Sequence, residues 1–166
     1  MRNIWFVSDT HFNHDNILMF SDLSGKPVRT FNSVEDMNET MIDNWNSRVV
    51  AGDKVYHLGD VFFGSKEKFR SLWPRLNGQK RLVVGNHDDI KYLAKGGFFS
   101  KLHMWRLFKE HGFVCTHVPI KEENFGKAKL NLHGHTHERG SPEGPYLSCC
   151  VEMTNYKPLH IDEIKL

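Results

Sequence analysis

Eight side chains in this 166-residue sequence are of types that do chemistry: Asp9, His11, Asp60, Asn86, His87, His117, His135 and His137. Each ends an apolar, strand-like run or sits in the turn after one, as in WFVSDTH, VYHLGD and RLVVGNHD. A buried strand that delivers polar residues at its C-terminal end is how open α/β sheets build sites. The set mixes carboxylate and amide oxygens with imidazole nitrogens and includes no cysteine. That suits a catalytic divalent metal, manganese, iron or zinc, rather than structural zinc. Asp9 and His11 lie two apart, so in an extended chain both leave one face and reach one ion. His135 and His137 repeat that spacing, with Gly134 supplying a sharp turn before them. Asp60 is placed to bridge two ions, one through each oxygen. With Asn86 and His117 the ligands number seven, more than one ion takes and suited to two ions sharing a carboxylate and a water. Two ions about 3.5–4 Å apart lower the pKa of a bridging water and clamp a displacement at phosphorus. His87 is then left free to protonate a leaving group.

The elements that must position these residues follow from pattern. Residues 3–8, 54–58 and 80–84 read as strands, and residues 34–49 and 66–73 as helices between them. Val34, Met37, Met41, Ile42 and Trp45 share one helical face, and Ser33 is an N-cap with Asp36 three positions on. Pro74 limits the second helix. Strand–helix–strand–helix–strand gives two crossover units and a parallel sheet. Residues 89–96 read as a short helix or turn. Further strands at 113–117, 128–132, 145–151 and 158–161 have spacings that suit a second, mixed or antiparallel sheet. The fold class expected is α/β: two sheets packed face to face with helices outside, in a single domain over residues 1–166. Within RLVVGNHD, Leu82 to Val84 anchor the sheet and Gly85 lets the chain turn. Asp88 orients a neighbour or caps the short helix.

Composition bounds the rest. Apolar content is 39%, charged content 25% and net charge +2, ordinary for a globular chain and too little charge to argue for nucleic acid. The unusual count is histidine, 11 in all. Three cysteines, Cys115, Cys149 and Cys150, form no disulfide framework and read as buried thiols in a reducing compartment. No run approaches the roughly 18 apolar residues of a membrane span, and no leader features precede the first strand. The expected location is the cytoplasm. His57 reads as a core histidine or a support behind Asp60; His103, His111 and His160 read as ordinary surface or core residues.

Taken together, the chain resembles the calcineurin-like metallophosphoesterase superfamily. The family's five blocks stand in order: DTH at 9–11, GD at 59–60, GNHD at 85–88, the strand-terminal His117, and GHTH at 134–137. The resemblance implies a four-layer α/β/β/α sandwich. It also implies one metal held by Asp9, His11, Asp60 and His137, a second held by Asp60, Asn86, His117 and His135, and His87 assisting the leaving group. DTHFNHDNI and NYKP resemble a compact bacterial and phage group of poorly defined substrate. Ser/Thr protein phosphatases continue the second block with Asp and Arg where Phe63 and Gly64 stand here, which argues against that activity.

The expected reaction is hydrolysis of a phosphodiester, or a phosphomonoester, by attack of a water or hydroxide bridging two divalent ions. Mn²⁺ is the expected ion, with Fe²⁺, Zn²⁺ and Ni²⁺ all accepting these ligands. The expected partner is a small, nucleotide-like phosphoester. A nuclease acting on DNA or RNA is disfavoured by the missing lysine stripe, and a non-catalytic scaffold by the full ligand set. His14 and Arg139 are candidate phosphate contacts, with Lys121 and Lys127 on loops near the last blocks. The aromatic run from Phe98 to Phe108 is expected to pack in the core, with base stacking as its alternative.

Overall fold

The computed structural model describes residues 3–166. In chain order its elements are β1 (Ile4–Val7), α1 (Val34–Asn46), β2 (Lys54–His57), α2 (Lys66–Leu72), β3 (Gln79–Val83), α3 (Ile90–Lys95), β4 (Lys101–His103), β5 (Arg106–Phe108), β6 (Phe113–Thr116), β7 (Leu130–His133), β8 (Tyr146–Ser148) and β9 (Leu159–His160). They form two mixed sheets, β4-β3-β2-β1-β9 and β5-β6-β7-β8. In the first, β1 to β4 are parallel and β9 is antiparallel; in the second, only β5 is antiparallel.

Alternation along the strands explains the layers. Phe6, Tyr56 and Val83 face the second sheet and pack with Phe108, Phe113, Cys115, Leu130 and Leu132. Trp5, Val7, Val55 and Leu82 face the other way and pack with all three α-helices, through Met37, Met41, Trp45, Phe69, Leu72 and Leu93. The architecture is therefore two mixed sheets face to face with helices outside. The layer over the second sheet is thin. It is the connection 117–129, whose regular structure is one 3-10 turn, Glu122–Asn124. Asn131, buried on that outer face, pins the connection by accepting from Ile120 N at 3.0 Å.

The Ser33 cap holds, its hydroxyl accepting from Asp36 N at 3.0 Å. Helix α1 stops at Asn46, short of the expected 49. The aromatic run 98–108 divides: Phe99 and Phe108 are buried, while β4 and β5 are three-residue edge strands joined by exposed Met104 and Trp105. Cys115, Cys149 and Cys150 are free and buried.

Candidate metal centre

The ends of β1, β2 and β3 and the turn after β7 converge. Loops 8–12 and 58–63 run side by side, with Asp9 N donating to Gly59 O, His11 N to Asp60 O and Phe12 N to Val61 O, all near 3.0 Å. At these ends the chain is not extended. Asp9, His11, Asp60, His135 and His137, five of the seven candidate ligands, have φ between 47° and 70°. The left-handed region costs a non-glycine residue about 1–3 kcal/mol. Such strain concentrated on one set of side chains marks the place where geometry is held for use. It also corrects the extended-chain reading. Asp9 and His11 do reach one spot, but by left-handed turns; His135 and His137 diverge, each into a different cluster.

Two clusters result: Asp9, His11 and His137, and Asp60, His117 and His135, with the ligand atoms in each within 4.8 Å of one another. Asn86 joins the second, its Oδ1 2.8 Å from His117 Nε2 and 3.0 Å from His135 Nδ1. Asp60 Oδ2 lies 3.7 Å from His11 Nε2 and 3.4 Å from His117 Nε2, facing both clusters. Its Oδ1 instead accepts from His87 N at 2.9 Å. So one oxygen, not one to each cluster, is offered to both.

The donor set fits divalent ions on a direct test. Asp9 Oδ2 is saturated, accepting from Ser8 Oγ at 2.6 Å, His135 N at 2.8 Å and Cys150 Sγ at 3.3 Å. Asp9 Oδ1 and both ring nitrogens of His11 are buried with no partner. Asp9 Oδ1 stands 3.8 Å from His11 Nε2 and 3.5 Å from His137 Nε2, too far for hydrogen bonds. Buried polar atoms left unpaired at that spacing are what an ion would satisfy. Two of the imidazoles are also oriented from behind. His117 Nδ1 donates to Leu58 O at 2.7 Å, and His137 Nδ1 to Glu152 Oε1 at 2.9 Å, which leaves each Nε2 facing the cluster.

The protonation states agree. Burial opposes ionisation of Asp9, but the surrounding imidazoles and the Ser8 hydroxyl hold its carboxyl below the usual range. Burial likewise opposes ionisation of Asp60, and His117 and the His87 N–H hold it low. Burial lowers the pKa of His11 against the opposing pull of Asp9. His117 and His137 are raised against burial, chiefly by the contacts with Asp60 and Glu152, so protons compete with metal there.

Several supports have no local signal in the sequence. Glu152 accepts from His137 and from Arg29 Nε at 2.8 Å, and Arg29 in turn donates to the carbonyls of Asp9 at 2.6 Å and Thr10 at 2.9 Å. Arg29 is fully buried, and its partner lies 123 positions away. Asp88 orients its neighbours, accepting from Gly85 N, Asp60 N and Val61 N at 2.8–3.1 Å. It does not cap α3; Asp89 does. His57 is a support, buried with Nδ1 accepting from Gly59 N and Nε2 on Thr10 Oγ1 at 2.9 Å. The sequence reads Gly85 and Gly134 as turn formers, but neither has a positive φ. They are required for close approach: a Cβ at Gly85 would run into the Asp60 carboxylate, and one at Gly134 into Ser8 Oγ.

His87 belongs to neither cluster. Its exposed ring lies 6.1 Å from that of His11 and 5.1 Å from that of Phe63. It lines a cavity of about 610 Å³ with His11, His14, Phe63, His137 and Arg139. His14 stacks on Phe63 at 4.1 Å, and burial beside His11 lowers its pKa to about 4. Lys121 and Lys127 do not line this cavity; Lys121 is exposed near Glu123. His160 caps the last 3-10 turn, and His103 and His111 lie away from the centre, beside Tyr56 and Phe108.

Comparison with known proteins agrees with this geometry. A family model described as calcineurin-like phosphoesterase matches residues 2–139. An uncharacterised protein of Methanocaldococcus jannaschii is 35% identical, covering 99% of this chain and 90% of its own. The Gene 66 protein of Mycobacterium phage D29 is 33% identical, covering 97% and 87%. A crystal structure of a protein of unknown function from Aquifex aeolicus superposes with a TM-score of 0.75 at 26% identity, over 98% of this chain and 97% of that one. The chain belongs to the calcineurin-like phosphoesterase family.

Proposed function

We propose that the protein hydrolyses phosphodiesters, and phosphomonoesters less well, at a centre of two divalent ions, with Mn²⁺ the expected metal. One observation carries this reading: Asp60 Oδ2 faces His11 of one cluster and His117 of the other, beside buried Asp9 and His11 atoms that have no partner. Asp9, His11, Asp60 and His137 would hold one ion, and Asp60, Asn86, His117 and His135 the second. When bound, the ions supply positive charge that acidifies water and neutralises phosphoryl oxygens. The chain's residues do the rest. Asp60 Oδ1 anchors the His87 backbone, and the His87 side chain lines the cavity. A water oxygen bonds to phosphorus and gives up a proton to solvent, the ester P–O bond breaks with its electron pair on the leaving oxygen, and that oxygen takes a proton from His87, which solvent then replaces. Arg139 and His14 line the same cavity and would contact the substrate. The substrate would be a small, nucleotide-like ester met in the cytoplasm.

The test is hydrolysis of bis(p-nitrophenyl) phosphate by Mn²⁺-loaded protein, with His87→Ala alongside. The variant should keep both ions and lose most turnover on alkyl leaving groups while retaining more on p-nitrophenol. Equal rates on alkyl esters in both proteins would remove the acid role of His87. Saturation below two ions per chain, with no ester cleaved, would remove the activity.

A further inference from the structure

A second cavity, of about 660 Å³, opens on the other flank of the centre, and nothing in the reaction above uses it. Asn86 and His117 of the second cluster are among its lining residues, with Met104, Trp105, Val114 and Phe125. Two of its polar wall groups are already engaged: Thr116 Oγ1 donates to Val118 O at 2.7 Å, and the Asp88 carboxylate takes three backbone N–H groups. Among the described residues, no lysine or arginine lines it. The groove lies where the edge strands of the two sheets meet, because Met104 and Trp105 are the link between β4 and β5. There both side chains stand uncovered, Met104 73% and Trp105 60% exposed. A tryptophan left in water beside a contiguous apolar wall marks a contact surface.

We infer that this groove holds the substituent that stays on phosphorus, and that the preferred substrate is a diester whose retained group is aromatic or apolar. The inference rests on the phosphoesterase reading and specifies its substrate. A diester has two ester oxygens. One leaves beside His87, in the cavity that contains His14 and Arg139. The other keeps its substituent, which needs room away from His87, and the groove beyond Asn86 and His117 supplies it. A monoester leaves that groove empty. The described walls carry no lysine or arginine to meet a further phosphate, as in an oligonucleotide backbone. A neutral ring, by contrast, removes the Trp105 face from water.

The test compares diesters that share one leaving group: methyl, phenyl and naphthyl p-nitrophenyl phosphate, with p-nitrophenyl phosphate as the monoester. KM should fall about tenfold or more from methyl to naphthyl, in line with the area a ring buries. Trp105→Ala should return the naphthyl KM to the methyl value and leave methyl-ester turnover unchanged. A second readout needs no turnover. Trp5, Trp45 and Trp73 are at most 9% exposed, so acrylamide quenches Trp105 selectively. Diphenylphosphinate, which has no ester bond, should protect that signal in the Mn²⁺-loaded protein, and dimethylphosphinate should not. Equal KM for methyl and naphthyl esters, with no protection by diphenylphosphinate, would overturn the inference and leave the phosphoesterase reading intact. So would a Trp105 already shielded in the free protein together with sedimentation as a dimer, since the groove would then be an interface between copies. If no ester is cleaved, the parent reading fails, and the phosphinate arm still decides whether the groove takes a ring.

Discussion

The two ligand clusters share one burial pattern, a buried Asp and His with a half-buried second His, but different neighbours hold them. Asp9 and His11 are buried, and His137 is backed by Glu152, which is itself paired with buried Arg29. In the second cluster Asp60 and His117 are buried as well, exposed Asn86 joins them, and the backing of His117 is the neutral carbonyl of Leu58. A carboxylate behind an imidazole raises its basicity as well as fixing its ring, whereas a carbonyl mainly fixes the ring. The first cluster should therefore hold its ion tightly, and the second should exchange its ion more readily.

Asp60 is the residue the two have in common, and its replacement should have the largest effect. Asp60→Asn keeps the shape and removes the charge that faces both clusters. Removing a buried charge partner costs about 3–5 kcal/mol, a factor of roughly 10²–10³ or more in affinity. Both ions should weaken together in equilibrium dialysis followed by mass spectrometry. One ion retained at wild-type affinity would show that Asp60 serves a single cluster.

Glu152→Gln should separate them. The first ion should weaken by about 10- to 100-fold and the second stay as it was, read as two phases in a Co²⁺ absorbance titration. Because Arg29 loses its counter-ion in a buried place, Tm should drop as well, and circular dichroism checks that the fold persists. Equal weakening of both phases would mean that Glu152 supports the loop rather than His137.

Beneath the first cluster lies a titratable support. Burial lowers the pKa of His57 from 6.5 to about 3. Between those values the unfolded chain binds a proton that the folded chain does not, so stability is present above pH 6.5 and is lost as pH falls towards 3. The loss from this one group is about 1.4 kcal/mol per pH unit. In metal-free protein, His57→Gln should flatten the acid limb of stability against pH by one proton's worth in urea melts. An unchanged slope would show that His57 is not the group responsible.

How far the sequence discloses all this depends on how local the information is. The blocks DTH, GD, GNHD and GHTH are legible because metal ligation demands particular residue types at strand ends. The alternation of Trp5, Phe6 and Val7 and the helical stripe through Met37, Met41 and Trp45 disclose the sheets and helices for the same reason. Arg29 and Glu152 are not legible: their types are ordinary, and their pairing exists only after residues 123 positions apart are folded together. Strands β4 and β5 are too short to show a period. Spacing alone suggests an extended path at Asp9 and His11, but it carries no sign of φ, and the left-handed turns stand where loops 8–12 and 58–63 run side by side and hydrogen-bond to each other.

Those turns give the sharpest comparison between binding and stability. His135 has φ of 70° and is half-buried, so its ring contributes modest packing, mainly an edge contact with His117 at 5.2 Å between centroids. Glycine adopts that φ without a steric cost. His135→Gly should thus remove a ligand of the second cluster while relieving local strain. Metal-free protein should gain about 1 kcal/mol in urea unfolding, the first ion should bind as before, and the second should be lost. Asn86 keeps His117 as a neighbour in that variant, so any residual second-site binding measures what those two hold without His135. Loss of stability in the metal-free variant would mean that the left-handed backbone at 135 is imposed by the surrounding fold at no net cost, and that ligand placement there was not bought with strain.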